Sequence, residues 1–152
     1  MLSFLCLGLN VSISAGQQPN KGVLQNQAGK AVLKDDLKTL ESTAKHGLDV
    51  KLPLAGGYTL LHYAAQYKAH RCLAYLIKQG CPLNAVTEET GFTALHFCAL
   101  SSNEKDAGLL LKAGAKSNIK SKNDKLTAFD VALKIKPLNA SLVELLSKGS
   151  RR

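Results

Sequence analysis

The stretch that decides the fold is GYTLLHYAA at residues 57–65, because it returns as GFTALHFCA at residues 91–99 and as KLTAFDVAL at residues 125–133. The copies begin at Gly57, Gly91 and Lys125, so both intervals between them are equal. Each copy is followed by a second apolar stretch, namely LAYLIKQG at 73–80, AGLLLKAG at 107–114 and LVELLSKG at 142–149. An earlier stretch, LKTLESTAKHG at 37–47, has the same shape as these second stretches. A constant interval of this size indicates a repeat architecture in which each unit is one supersecondary structure.

Each unit carries the signals of a short helix, a turn, a second helix and an extended segment. Thr59 and Thr93 stand where a hydroxyl can cap the start of the first helix. Gly80 and Gly114 stand just past the second apolar stretch, where a residue with positive φ commonly ends a helix. One such unit cannot bury its own apolar face. The pattern therefore predicts a stack of about four units with a capping unit at each end.

These residues resemble the ankyrin repeat, whose hallmark is Gly-x-Thr-Pro-Leu-His-x-Ala-Ala followed by a leucine-rich second helix and Gly-Ala. The resemblance covers roughly residues 30–149 and departs from the hallmark at its proline, which is Leu60, Ala94 and Ala128 in successive copies. It implies an all-α solenoid of about four helix-turn-helix repeats with β-hairpin fingers. The repeat domain is placed at residues 30–150, with repeats at about 22–54, 55–88, 89–122 and 123–150.

The amino-terminal residues are predicted to lie outside the repeat domain. Residues 1–16, MLSFLCLGLNVSISAG, hold a short apolar run followed by small residues, which indicates a signal peptide or a disordered leader. No Lys or Arg precedes the run, and it is too short to span a bilayer, so no transmembrane segment is expected. Residues 17–29 are rich in Gln, Asn and Gly and are interpreted as a linker. The chain is therefore expected to be periplasmic or secreted, with the cytoplasm as the alternative.

The histidines have a structural interpretation. His62 and His96 occupy the Thr-x-Leu-His slot. There the resemblance implies that the imidazole hydrogen-bonds within and between repeats. His70 is placed on the surface of a second helix. The residues expected to serve the fold are Thr59, His62, Gly80, Thr93, His96 and Gly114.

No arrangement in the sequence predicts a catalytic, metal or cofactor site. His96-x-Cys98 is only a fragment of a metal site, and the cysteines form no C-x-x-C pair. The adjacent carboxylates of Glu88 and Glu89 point apart and form no acid–base pair. No Gly-rich phosphate loop follows a strand. The chain is therefore expected to be non-catalytic and to bind no cofactor.

The binding surface is assigned by the family pattern, in which fingers and first helices line a concave face. The fingers are expected at about residues 48–58, 82–92 and 116–126. The predicted protein-binding residues are Tyr58, Gln66, Tyr67, Glu89, Thr90, Phe92, Leu100, Ser101, Asn123 and Leu126. Tyr58, Tyr67, Phe92 and Leu126 would form an exposed apolar stripe able to carry much of an interface's energy. The alternative is that Tyr58 and Phe92 staple neighbouring fingers together.

The chain is basic, with 20 Lys and Arg against 11 Asp and Glu and a net charge of +9. Such a surface either keeps the protein in solution or attracts an anionic partner. Lysine dominates, whereas arginine is the usual reader of base edges, so sequence-specific recognition of nucleic acid is not expected.

The predicted function is that of a protein-binding module that is a monomer on its own. The narrower hypothesis is a cognate inhibitor or immunity protein that occludes a secreted enzyme such as a cell-wall hydrolase. The alternative is a cytoplasmic regulatory adaptor that masks a signalling or transcription protein. A third hypothesis is an anion binder that uses its lysines on RNA or an acidic polymer.

Overall fold

The computed structural model describes residues 21–149, and within this range the chain forms eight α-helices. They are α1 (Lys21–Leu33), α2 (Leu37–Lys45), α3 (Leu60–Gln66), α4 (His70–Lys78), α5 (Ala94–Leu100), α6 (Glu104–Lys112), α7 (Ala128–Lys134) and α8 (Ala140–Gly149). The odd-numbered helices contact one another in succession and form a first row, and the even-numbered helices form a second row. Each first-row helix also contacts the second-row helix that follows it. The predicted all-α repeat solenoid is confirmed, with four helix pairs.

Short polar side chains begin several of these helices. Thr59 Oγ1 accepts a hydrogen bond from His62 N at 3.4 Å at the start of α3. Asn103 Oδ1 accepts one from Asp106 N at 3.2 Å at the start of α6. Each bond satisfies an amide that a helix leaves without an internal partner in its first turn. Local hydrogen bonds thus help to fix where these helices begin.

The two rows approach closely because the residues between them are small. Ala64, Ala65, Cys98 and Ala99 are each fully buried. Leucines fill the remaining space, and those that are almost completely buried are Leu40, Leu61, Leu73, Leu76, Leu95, Leu110, Leu142 and Leu146. Burial of one such side chain contributes about 1.5–3 kcal/mol. This continuous aliphatic core holds the repeats together without a tryptophan.

The fingers are tight turns, so the predicted β-hairpin geometry is not confirmed. No β-strand occurs among residues 21–149. The second finger is closed by Thr87 N donating to Phe92 O at 3.0 Å, and the third by Ser121 N donating to Leu126 O at 2.8 Å. A strand pair needs a succession of such bonds along both arms. The arms here are too short to form one.

Neighbouring fingers are joined by a backbone bond that repeats along the stack. Glu88 N donates to Gly56 O at 2.9 Å, and Lys122 N donates to Thr90 O at 2.8 Å. The donors of the two bonds occupy equivalent positions in successive repeats, and so do the acceptors. The three fingers therefore form one connected edge of the molecule.

The first helix begins earlier than the linker prediction allows. That prediction covers residues 17–29, yet α1 starts at Lys21. The reason is helical spacing, since Leu24, Ala28 and Val32 recur at every fourth position and are all buried. The predicted leader at residues 1–16 lies outside the described residues. None of the helices in residues 21–149 has the length and apolar character needed to cross a bilayer.

Candidate protein-binding surface

A buried histidine links the first helix of the second repeat to the finger that follows. His62 is only 1% exposed. Thr59 N donates to His62 Nδ1 at 2.9 Å, and His62 Nε2 donates to Ala85 O at 3.0 Å. A ring nitrogen that accepts from an amide carries no proton, so these bonds select the neutral ring protonated at Nε2. His62 thereby holds the second finger against α3.

The same arrangement recurs one repeat later with His96. Thr93 N donates to His96 Nδ1 at 3.2 Å, and His96 Nε2 donates to Leu126 O in the third finger at 3.0 Å. In the last repeat Asp130 replaces the histidine. Its Oδ2 accepts from Thr127 N at 2.9 Å and from Thr127 Oγ1 at 2.7 Å, and so it caps α7.

Burial lowers the pKa of both His62 and His96 below the ordinary value of 6.5. In the neutral ring, both nitrogens are already engaged with partners in the protein. Neither ring therefore offers a free lone pair to a metal ion. Within residues 21–149 no group of three His, Cys, Asp or Glu side chains is placed to hold one.

Four rings form an aromatic row where the fingers meet the first helices: Tyr58, Tyr63, Phe92 and Phe97. Tyr58 stacks on Tyr63 of its own repeat, with ring centres 5.5 Å apart, and meets Phe97 of the next repeat at 5.8 Å. Phe92 meets Phe97 edge to face at 5.8 Å. Such pairs contribute about 0.5–1.5 kcal/mol beyond burial. Phe97 therefore connects two successive repeats through their rings.

Sequence reasoning identifies only half of this row. Tyr58 and Phe92 are predicted to be exposed, but both are half-buried, since Tyr58 contacts Tyr63 and Phe97 and Phe92 contacts His96 and Phe97. Tyr63 and Phe97 are absent from the predicted surface, although they hold equivalent positions in successive repeats, and this recurrence is the signal that could have found them. These ring contacts support the alternative interpretation, in which Tyr58 and Phe92 hold neighbouring fingers together.

The remaining predicted binding residues divide into two groups by exposure. The exposed group consists of Gln66, Tyr67, Glu89, Leu100 and Asn123. Tyr67 is 51% exposed and Leu100 is 41% exposed. They stand at the carboxyl ends of the neighbouring helices α3 and α5. These two side chains are free for a partner.

The second group is half-buried and engaged inside the protein. Thr90 Oγ1 lies 2.7 Å from Thr87 Oγ1 in the second finger. Ser101 Oγ donates to Phe97 O at 2.9 Å and contacts Ala65 O at 3.2 Å in the preceding repeat. Leu126 is also half-buried and packs against the core. These three side chains make contacts within the protein and project little from its surface.

Glycines give the turns their backbone freedom. Gly80 and Gly114 follow α4 and α6 with φ angles of 76° and 97°. Gly91 lies in the second finger with φ at 70°, and a Cβ there would come within 2.8 Å of Lys122 N. At Gly91, therefore, the neighbouring finger also excludes a side chain.

The structure reveals a buried polar group between the second and third repeats that the sequence did not predict. Asp106 is 0% exposed. Its Oδ1 lies 2.7 Å from His70 Nδ1, and its Oδ2 accepts from Asn103 Nδ2 at 2.6 Å. His70 is predicted on the open surface, but it stands over the carboxylate that the next repeat buries. A pairing between residues 36 apart leaves no local signal in the sequence.

The three cysteines in the described part of the chain are unreactive fillers of the core. Cys72, Cys81 and Cys98 are buried free thiols. Burial raises the pKa of Cys72 to about 12 and that of Cys81 to about 11. Burial likewise raises the pKa of Cys98 far above its ordinary value. All three remain protonated at neutral pH and are poor nucleophiles.

Comparison with known proteins agrees with the repeat pattern. The family model described as "Ankyrin repeats (3 copies)" matches residues 29–123, more than half of the chain. Diacylglycerol kinase iota of Mus musculus is 36% identical over 88 residues, which cover 57% of this chain and 8% of that protein. Ankyrin repeat and SOCS box protein 16 of Homo sapiens is 36% identical over 77 residues, covering 51% of this chain and 17% of that protein.

Ankyrin repeat and SOCS box protein 3 of Homo sapiens is 33% identical over 92 residues, covering 59% of this chain and 18% of that protein. The aligned part thus spans less than a fifth of each of these relatives. The match to the kinase covers only its ankyrin region. The similarity therefore concerns the repeats and carries no kinase activity to this chain.

Proposed function

Because the chain belongs to the ankyrin-repeat family, whose members are protein–protein interaction modules and generally non-catalytic, we propose that it binds one partner protein through its fingers and first helices. The observation that carries the proposal is the exposure of Tyr67 and Leu100 at the carboxyl ends of the neighbouring helices α3 and α5. Tyrosine is among the residues that most often supply an interface's energy, and an exposed leucine adds apolar contact area.

The rigidity of the surrounding surface supports the same proposal. The bonds from Glu88 N to Gly56 O and from Lys122 N to Thr90 O join the fingers, and His62 and His96 hold the last two fingers against α3 and α5. A surface that is already ordered loses little conformational entropy on binding. The chain itself is proposed to be a monomer, which sedimentation equilibrium checks directly.

Two narrower versions of the proposal differ in compartment and partner. In the first, the chain is an inhibitor or immunity protein that occludes a secreted enzyme such as a cell-wall hydrolase, as suggested by the leader-like residues 1–16. In the second, it is a cytoplasmic regulatory adaptor that masks a signalling or transcription protein. Sequencing the amino terminus of the mature protein separates them. A start near residues 15–18 supports export, and an intact Met1 supports the cytoplasm.

One observation favours the adaptor. Cys72, Cys81 and Cys98 are all free thiols, whereas proteins of oxidising compartments commonly place their cysteines in disulfides.

The test is to replace the two exposed apolar residues together, as Tyr67→Ala with Leu100→Ala. The partner is first captured from the native host with tagged protein and identified, and its Kd is then measured by calorimetry. We expect binding at least about tenfold weaker, because hot-spot side chains each contribute about 2 kcal/mol or more. The urea midpoint should hardly change, because both side chains are substantially exposed.

The matched control removes two exposed apolar side chains from α1, as Val23→Ala with Leu33→Ala, which are 51% and 48% exposed. This control should bind like the unaltered protein. If both pairs of substitutions weaken binding equally, or if neither pair weakens it, the proposed binding surface is wrong. Tyr58→Ala with Phe92→Ala is a poorer test, since loss of the contacts to Phe97 also lowers stability.

A further inference from the structure

A groove lies between the carboxyl-terminal halves of α6 and α8 and the loop that follows α6. Its volume is about 920 Å³, which is within the range of ligand sites. Leu111, Ile119 and Leu145 line it, and each is half-buried, so their apolar surface is accessible inside the groove. None of the residues assigned to the proposed binding surface lines it. The groove is therefore a separate feature of the last two repeats.

The same groove is strongly basic. Lys112, Lys116 and Lys148 line it and are all exposed, and the described residues of the lining include no Asp or Glu. Lys148 Nζ lies 2.6 Å from Glu144 Oε1, but their side chains are 71% and 66% exposed. Exposed pairs of this kind contribute little. A carboxylate entering the groove can therefore engage Lys148 as well.

Helix dipoles explain only part of this charge. Lys112 and Lys148 stand in the last turns of α6 and α8, where a cation stabilises the negative helix end. Lys116 lies beyond the helix, and its backbone N donates to Asn84 Oδ1 of the preceding finger at 2.8 Å. Its position at the groove is thus fixed by the neighbouring repeat. The dipoles of α6 and α8 therefore do not explain why Lys116 and apolar side chains also line the groove.

The chemistry of the groove selects the class of occupant. Grooves for single-stranded nucleic acid normally combine basic residues with aromatic rings or arginines that stack on bases. The described lining contains neither. An aliphatic floor with a lysine rim instead matches a segment that carries aliphatic and acidic side chains together. We propose that this groove docks an acidic amphipathic segment of a partner protein. In that complex the aliphatic side chains cover the floor, and the carboxylates pair with the three lysines.

The experiment titrates the full chain with a fluorescein-labelled peptide that carries Leu on one helical face and Glu on the other. Binding is followed by fluorescence anisotropy and located by amide chemical-shift changes in NMR. We expect saturable binding with shifts at residues 108–119 and 145–149. The double variant Lys112→Gln with Lys116→Gln should bind about threefold to fivefold more weakly, because two solvent-exposed charge contacts, each of small effect, are lost.

The control variant carries the same charge change elsewhere, as Lys30→Gln with Lys38→Gln, both exposed on α1 and α2. It should bind the peptide like the unaltered chain. Equal weakening by both variants, or shifts on the fingers instead of the groove, would overturn the proposal. So would tighter binding of single-stranded RNA or of anionic phospholipid vesicles that is lost in the groove variant. The Tyr67→Ala with Leu100→Ala variant should retain peptide binding, which separates this proposal from the function proposed above.

Discussion

A single buried carboxylate shows how one residue can join two repeats. Asp106 occupies the position equivalent to Cys72 of the preceding repeat, where the side chain is apolar. Instead of packing against apolar groups, its carboxylate is hydrogen-bonded by His70 of α4 and by Asn103 at the start of its own helix. No buried side-chain N or O atom among the described residues lacks a hydrogen-bond partner. The polar residue is thus accommodated by complete hydrogen bonding.

The first prediction concerns the contact between His70 and Asp106. We expect His70→Ala to lower the free energy of unfolding by about 1.5–3 kcal/mol, because a buried carboxylate loses a hydrogen-bonded partner. In the double variant His70→Ala with Asp106→Ala, the loss should be smaller than the sum of the two single losses. Urea denaturation of the four proteins measures the coupling.

The control for this prediction is the removal of a histidine that lies away from the contact between His70 and Asp106. His46 is exposed on the surface after α2, and its Nδ1 contacts only its own helix. His46→Ala should change stability by less than about 0.5 kcal/mol. Losses for His70 and Asp106 that add within about 0.5 kcal/mol would mean that the pair is not coupled.

At the scale of the element, one finger position is left-handed in every repeat that carries the hallmark. Gly57, Gly91 and Lys125 have φ angles of 72°, 70° and 55° and open the three copies of that motif. The first two lie against the following finger, since a Cβ at Gly57 would come within 3.1 Å of Glu88 N. No finger follows Lys125 among the described residues, and Lys125 is exposed. A side chain is therefore tolerated only at the end of the stack.

The second prediction compares glycine positions that differ in crowding. Gly91→Ala should lower stability by more than Gly114→Ala, although both have positive φ. A Cβ at Gly91 would meet Lys122 N at 2.8 Å, whereas at Gly114 nothing described lies within 4 Å. Left-handed strain alone costs about 1–2 kcal/mol, and Gly91→Ala adds the clash with a backbone atom. Urea midpoints at constant slope measure both.

Lys125→Gly should act in the opposite direction. It relieves the left-handed strain without removing any packing, so we expect stability to rise by up to about 1 kcal/mol. A fall in stability would show that the Lys125 side chain makes a contact that outweighs its backbone strain.

At the scale of the whole molecule, the stack depends on two neutral imidazoles. The third prediction is that the free energy of unfolding falls as the pH drops below about 6.5, the ordinary histidine value. Burial lowers the pKa of His62 and His96 in the folded state, so the unfolded chain binds protons first. The contribution of the two histidines to the free energy of unfolding is therefore fully present above about pH 6.5. It declines as the pH falls, until the pH lies below their pKa in the folded state.

The groups around each ring set the extent of this decline. His96 adds to the lowering of the His62 pKa, whereas Asp130 partly opposes the lowering at His96. The double variant His62→Gln with His96→Gln should flatten the curve between about pH 6.5 and 5, where ordinary carboxylates remain ionised. His46→Gln is the control and should leave the curve steep. An unchanged slope in the double variant would show that other groups cause the pH dependence.

Much of the fold could be predicted from the chain itself. Evenly spaced copies of one motif, small residues at Ala64 and Ala65, and the threonines before the first helices are local signals that the repeats carry in full. These predicted the solenoid and the positions of its helices. The first repeat was expected from about residue 22, and α1 begins at Lys21, although the Gln and Asn content of residues 17–29 had suggested a linker there.

The exposure of the proposed binding residues could not be predicted from any single repeat. The sequence by itself determined which elements form and that they stack, because helix spacing and small side chains act within a single repeat. Only the tertiary structure decided that Tyr58 and Phe92 turn inward while Tyr67 and Leu100 stay accessible. It alone brought His70 to Asp106, and Lys148 to the groove beside Leu111. Exposure and pairing of this kind arise where one repeat meets the next, so they follow from the packed neighbours rather than from residues adjacent in the chain.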